Sequence, residues 1–237
     1  MKIAIVLTGV THGYVEDTCK YDVPRNFYAC APNLQKLLID PLKEEFEDVK
    51  IYLTTYENDV LNDVLNFYKP DKCTLVPYEN SQMITTYLAS MESLRNEDVD
   101  FIISTRFDIL LKSKITSWNF NYKKFNVTFK EADTFMTEEE KKFNFTSDCV
   151  FAFPKRFLGP LIVGLKEAWY FHPQPYFRKN MHPVAHNVSK VIGNYNINFL
   201  TDKKMTSDEN NFFILYRHKV HTYGQDYVIE EKESPYE

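Results

Sequence analysis

The chain has 237 residues, 44% hydrophobic and 26% charged, a balance typical of a globular protein with a sizeable core. The net charge of −5 gives no basic excess for binding a polyanion, so nucleic acid is disfavoured as a partner. We expect no transmembrane segment, because no run of about 18 apolar residues occurs. Four scattered cysteines without metal-site spacing favour a reducing, cytoplasmic location.

The first half of the chain alternates short apolar runs with amphipathic stretches. The pattern predicts strands at 2–8, 50–55, 73–77 and 101–104, and helices at 33–46, 58–68 and about 81–95. This alternation predicts an α/β fold with a mostly parallel sheet wrapped by helices. Ligands of such sheets bind beyond the carboxyl ends of the strands, so the candidate site residues are those that follow each strand.

The regular alternation of predicted strands and helices ends after residue 108. We expect strands at 109–112, 125–130, 149–153, 196–200 and 212–217, and helices at 155–169 and 184–192. The aromatic and proline-rich run from Trp169 to Arg178 looks unsuited to a helix. It could be a loop over a ligand site or a packed connection. No repeat or linker interrupts the chain, which predicts one domain over 1–237.

A hydrophobic strand that runs into Arg106-x-Asp108 is the main candidate for chemistry. The carboxylate would stand at the open edge of the sheet, where it could bind a divalent metal or a sugar hydroxyl. Arg106, two residues earlier, would lie on the same side of an extended chain. A diphosphate ligand needs both a positive charge and a metal ligand. The alternative is a structural Arg–Asp pair at the end of the strand.

The segment from Asp100 to Leu111 resembles the central strand and acidic motif of GT-A glycosyltransferases. It looks closest to the Arg-x-Asp form found in glycosyltransferase-like proteins of large DNA viruses and bacterial surface-polysaccharide clusters. The opening Ile-Val-Leu-Thr-Gly, followed by Arg25, and the strand Tyr-Leu-Thr-Thr-Tyr fit the nucleotide-binding half of that fold. The resemblance covers about residues 1–155. Arg106 stands at the first acidic position of Asp-x-Asp, where it could replace part of the charge of a metal.

The resemblance implies a GT-A-like fold and the transfer of a sugar from a nucleotide sugar, expected to be a UDP-sugar, to a glycan acceptor. Residues 1–112 would form the nucleotide-sugar-binding half and 113–237 the acceptor-binding half. The location would be cytoplasmic, in the host cytoplasm if the protein is viral. The implied cofactor is Mn²⁺ or Mg²⁺, with Asp108 as the metal ligand. The donor-binding residues implied are Thr8, Gly9 and Arg25 near the nucleotide, Thr55 and Tyr56 near the base, and Arg106 and Asp108 at the diphosphate.

Asp148 precedes a second apolar strand and is the candidate catalytic base. An inverting transferase needs one carboxylate to deprotonate the acceptor hydroxyl. The alternatives are a substrate-binding role in a retaining enzyme, or a carboxylate in an ordinary turn. The histidine pairs His182/His186 and His218/His221 could add a metal ligand, but their spacing is weak evidence for one.

Two other functions compete with glycosyl transfer. One is a catalytically silent nucleotide- or carbohydrate-binding module of the same fold. The other is a nucleotidyltransferase, although the stretch from Gly9 to Gly13 is a poor phosphate-binding loop. No dinucleotide fingerprint, Walker motif or nucleophile elbow occurs, which argues against dehydrogenase, ATPase and hydrolase functions. The oligomeric state stays open.

Overall fold

The computed structural model describes residues 1–11, 26–77, 83–129, 146, 148–171, 188, 190–201 and 212–215. Several predicted features lie outside these residues. They are Arg25, the two histidine pairs, most of the aromatic run and most of the helix predicted over 184–192.

The first half forms the parallel α/β unit that the periodicity predicts. Its elements are β1 (Lys2–Thr8), α1 (Phe27–Leu34), α2 (Asp40–Glu45), β2 (Asp48–Tyr56), α3 (Leu61–Tyr68), β3 (Lys72–Val76), α4 (Met83–Ser93) and β4 (Phe101–Arg106). Strand β1 pairs in parallel with β2 on one side and β4 on the other, and β2 pairs in parallel with β3. The expected parallel sheet is confirmed for these four strands.

The second half extends the same sheet in mixed orientation. Its elements are β5 (Ile109–Leu111), β6 (Phe125–Val127), β7 (Val150–Pro154), α5 (Leu158–Phe171), β8 (Ile197–Phe199) and β9 (Phe213–Leu215). The seven-stranded sheet has the order β3-β2-β1-β4-β7-β6-β8, and β5 and β9 form a separate antiparallel pair. Strand β7 is antiparallel to both β4 and β6, whereas β8 is parallel to β6. Within this sheet, β7 alone runs against the other strands described.

Two helices extend beyond their predicted bounds. The first helix begins at Phe27 rather than at 33, with the Asn26 side chain accepting from the backbone N–H of Tyr28 as an N-cap. Its buried residues follow helical spacing, but Pro32 obscures the pattern because proline is usually excluded from helix interiors. A π-helical turn over Gln35–Ile39 then joins α1 to α2. Helix α5 continues to Phe171, so the aromatic run begins inside a helix.

The sheet carries a separate apolar core on each face. Ile3, Ile5 and Leu7 of β1 pack with α1 and α3 on one face, and Ala4 and Val6 pack with α4 and α5 on the other. Strand β1 is therefore buried on both sides, as expected for the centre of an α/β sheet. Among the described residues, no helix is long and apolar enough to cross a bilayer.

Helices α4 and α5 are joined by an ion pair with a pH signature. Glu92 accepts from Arg95 at 2.7 Å and from Lys166 of α5 at 2.7 Å. These hydrogen bonds, that from Arg95 first, lower the pKa of Glu92 to about 2. A carboxyl group whose pKa is lower in the folded than in the unfolded protein stabilises the fold at pH values above its unfolded pKa. That contribution is lost as the pH falls through the folded pKa.

We therefore expect Glu92→Gln to lose part of the acid dependence of stability between about pH 5 and pH 2. Urea unfolding over a pH series measures this slope. Glu167→Gln is the control, since it removes a charge from an exposed position of α5, next to Lys166 in the chain. An acid dependence of Glu92→Gln identical to that of the unmodified protein would contradict the assignment.

Candidate functional site

The reversed direction of β7 brings two distant acidic residues to one edge of the sheet. Arg106 ends β4, and Thr105 pairs with Val150 at the start of β7. Because the two strands are antiparallel, the residues just before Val150 lie beside those just after Thr105. Asp148 therefore joins Arg106 and Asp108 at the carboxyl edge of the parallel strands.

Arg106 and Asp108 lie on the same side, as their spacing predicts, and form a two-pronged ion pair. Nε of Arg106 donates to Oδ1 of Asp108 at 2.8 Å, and Nη2 donates to Oδ2 at 2.6 Å. The Arg106 side chain is 12% exposed and that of Asp108 only 4%. Such a fork is the strongest pairing that a guanidinium makes with a carboxylate. The contact has the form of the structural alternative, and it also places a positive charge at the predicted site.

Asp148 lies on another side of the same guanidinium. Its Oδ2 is 3.8 Å from Nη1 of Arg106, and the Asp148 side chain is 3% exposed. Burial alone would lower the pKa of Arg106, but Asp108 and Asp148 outweigh it and hold that pKa well above its ordinary value. The site is thus a permanently charged guanidinium shared by two buried carboxylates.

Two neighbours help to define the position of Asp148. The hydroxyl of Tyr87, on α4, donates to the backbone carbonyl of Asp148 at 2.7 Å. The thiol of Cys149 lies 3.4 Å from Oδ1 of Asp148. Burial first, and then the charge of Asp148, raise the pKa of the Cys149 thiol, so it stays protonated and donates.

Thr8 and Gly9 lie at the same edge, but the Thr8 hydroxyl is turned under α4. The hydroxyls of Thr8 and of Ser90, on α4, are hydrogen-bonded to each other at 3.0 Å, and Thr8 is fully buried. Gly9 adopts φ +111° while its N–H donates to the carbonyl of Thr54 at 3.1 Å. Other residues rarely adopt such a φ, which explains a glycine directly after the strand.

Thr55 and Tyr56, predicted near the base, are both buried. Thr8 pairs in register with Thr54, so Thr8 and Thr54 share a face, and Thr55 lies on the opposite face. Thr8 and Thr55 therefore do not converge on one point. Their roles in binding, and that of Tyr56, stay predictions.

A row of polar residues crosses four strands on the face that α4 covers. Thr74 pairs with Thr54, Thr54 with Thr8, and Thr8 with Arg106. The hydroxyl of Thr54 is buried with no hydrogen-bond partner. This row ends at Arg106, and its threonines lie in the half of the chain for which the resemblance predicts nucleotide binding.

Two residues that contact the site from helix α4, Tyr87 and Ser90, were not predicted from the sequence. Both lie on the buried face of α4, three residues apart. The signal was a tyrosine and a serine at core positions of an otherwise apolar helix face. Buried hydroxyls of this kind usually have a specific partner.

The described residues do not fit a metal centre at Asp108. No group of three or more His, Cys, Asp or Glu side chains among them could hold a metal ion. Both oxygens of Asp108 already accept from Arg106, so the guanidinium occupies the position in which these oxygens would chelate a metal ion. A role for Mn²⁺ or Mg²⁺ stays a prediction.

Comparison with known proteins adds no relative. No family model matches the chain, and no curated protein matches it significantly. The fold and the charged cluster are therefore the basis for assigning a function to this protein.

The Tyr87 hydroxyl should stabilise the start of β7. We expect Tyr87→Phe to lower the free energy of unfolding by about 1–2 kcal/mol, because the buried carbonyl of Asp148 loses a donor. Tyr68→Phe is a matched control, since the Tyr68 hydroxyl is buried without a hydrogen-bond partner. Urea unfolding of both variants measures the difference. Equal stability of the two variants would show that the Tyr87 hydrogen bond contributes little.

Proposed function

We propose that this protein is a GT-A-like glycosyltransferase that moves a sugar from a nucleotide-sugar donor, a UDP-sugar by preference, to a glycan acceptor. The observation that carries the proposal is the cluster of Arg106, Asp108 and Asp148 at the carboxyl edge of the parallel strands. This edge is where open α/β sheets bind their ligands. Charged groups gathered from separate chain segments into a buried cluster are typical of functional sites.

Glycosyl transfer needs the two kinds of group that the cluster contains. Departure of a nucleoside diphosphate develops negative charge, which a fixed guanidinium can stabilise in a site of low polarity. The acceptor hydroxyl must lose a proton, and a nearby carboxylate can take it. In the proposal Arg106 faces the diphosphate, Asp108 holds Arg106 in place, and Asp148 is the base. The proton moves from the acceptor hydroxyl to a carboxylate oxygen of Asp148.

The architecture supports the same proposal. A parallel first half followed by a mixed second half is what the GT-A resemblance implies, and the chain has this arrangement. The change of direction occurs at β7, beside the charged cluster. A donor bound by the first half and an acceptor bound by the second would therefore meet near Arg106.

A catalytically silent binding module is the second candidate, and one observation favours it. Asp108 and Asp148 are both at most 4% exposed, so each could serve only to neutralise a buried arginine. Such a module would bind a nucleotide sugar and leave it intact. Release of nucleoside diphosphate in the presence of glycan acceptors separates the two functions.

We expect UDP-sugars to raise the melting temperature more than the corresponding free sugars do. A ligand at one hundred times its Kd adds about 2.7 kcal/mol to the stability of the folded form. That gain corresponds to roughly 5–10 °C for a chain of this size. A thermal-shift series over nucleotide sugars, nucleotides and sugars measures it. No shift with any nucleotide or nucleotide sugar would contradict the proposal.

Replacing the base should separate catalysis from binding. We expect Asp148→Asn, which keeps the shape of the side chain, to lower transfer by about 10²- to 10⁴-fold with little change in donor binding. Asp98→Asn is the control, because Asp98 is an exposed carboxylate paired with Lys2 at the opposite edge. A loss of transfer below about tenfold in Asp148→Asn would remove Asp148 from the role of base.

A further inference from the structure

We propose that the guanidinium of Arg106 takes the place of a divalent metal ion in this site, so that donor binding requires neither Mn²⁺ nor Mg²⁺. The inference rests on the proposed function for its ligand, but the place of the cation can be tested without any ligand. It departs from the metal-assisted transfer that the resemblance implies.

The first step of the argument is competition for the same oxygen atoms. Both carboxylate oxygens of Asp108 accept from Arg106, at 2.8 and 2.6 Å. A magnesium ion would need an oxygen lone pair at about 2.1 Å. A guanidinium that contacts both oxygens occupies the position in which those two oxygens would chelate a metal ion, so Asp108 cannot chelate one in this arrangement.

The second step is that the guanidinium lies against two carboxylates rather than one. Nη1 is 3.8 Å from Asp148 Oδ2, while Nε and Nη2 contact Asp108. Two carboxylates from separate chain segments that converge on one point are the usual framework for a hard cation. Here the convergence point is filled by a side chain of β4 itself.

The third step is that Arg106 brings to the site the positive charge that a metal ion would otherwise supply. A guanidinium has five N–H donors in one plane, and Asp108 receives one from Nε and one from Nη2. Guanidinium groups match the geometry of phosphate oxygens as well as that of carboxylates. The Arg106 side chain is 12% exposed, more than that of either carboxylate. The charge is fixed by the covalent chain, whereas a metal ion must first be captured.

The test removes the guanidinium and asks whether a metal ion replaces it. In Arg106→Ala, two buried carboxylates lose their shared cation, so we expect the melting temperature to fall by roughly 10 °C in excess EDTA. Mn²⁺ should restore a large part of this loss by binding between the two carboxylates. The unmodified protein and Arg106→Lys, which keeps the charge, should melt at the same temperature in EDTA and in Mn²⁺.

A matched control is available on the surface. Arg95 pairs with Glu92 through the same fork, at 2.7 and 3.1 Å, but is half exposed. Arg95→Ala leaves Glu92, a partly exposed carboxylate, still paired with Lys166, and should show no recovery with Mn²⁺. If Arg106→Ala does not fold, Mn²⁺ binding to the unmodified protein and to Arg106→Lys, followed by electron paramagnetic resonance, decides the question.

Two results would overturn the inference. One is tight binding of Mn²⁺ by the unmodified protein at one ion per chain, lost in Asp108→Asn. The other is a nucleotide-sugar thermal shift that appears only when Mn²⁺ is present. If no nucleotide sugar binds under either condition, the proposed function fails. The recovery of the melting temperature of Arg106→Ala by Mn²⁺ then still shows whether the guanidinium occupies a position that a metal ion can fill.

Discussion

A buried positive charge needs compensating negative charge, and this requirement organises the edge of the sheet around Arg106. Removing an ion from water costs several kcal/mol unless partners replace the lost hydration. Asp108 replaces it from the turn directly after β4, and Asp148 from the segment that leads into β7. The end of β4, the start of β5 and the start of β7 are therefore fixed to one another by charge as well as by strand pairing.

Helix α4 closes this cluster from one face of the sheet. Tyr87 binds the backbone at Asp148, and one turn later Ser90 binds the hydroxyl of Thr8. The helix thus links the end of β1 to the start of β7, two points that are far apart in sequence. A cluster held by Asp108, by Asp148 and by helix α4 would keep its geometry during a reaction, which is what electrostatic catalysis requires.

The strands of the first half and the relation of Arg106 to Asp108 could be predicted because both follow from short-range periodicity. A continuous apolar run predicts a buried strand, and a spacing of two residues predicts a shared side. The direction of β7 could not be predicted in this way. Its pairing with β4 joins segments more than 40 residues apart, and a five-residue apolar strand carries no signal for parallel or antiparallel pairing. For the same reason, the contact of Asp148 with Arg106 became visible only in the structure.

The opposed directions of β4 and β7 bring the two ends of one long chain segment, Asp108 and Asp148, to the same edge of the sheet. That segment also supplies β6, which pairs with β7. The shared contact with Arg106 therefore closes a loop in the chain, and the entropic cost of that closure is offset by the ion pairs together with the strand pairing. A substitution at Arg106 would act on both ends of this loop at once.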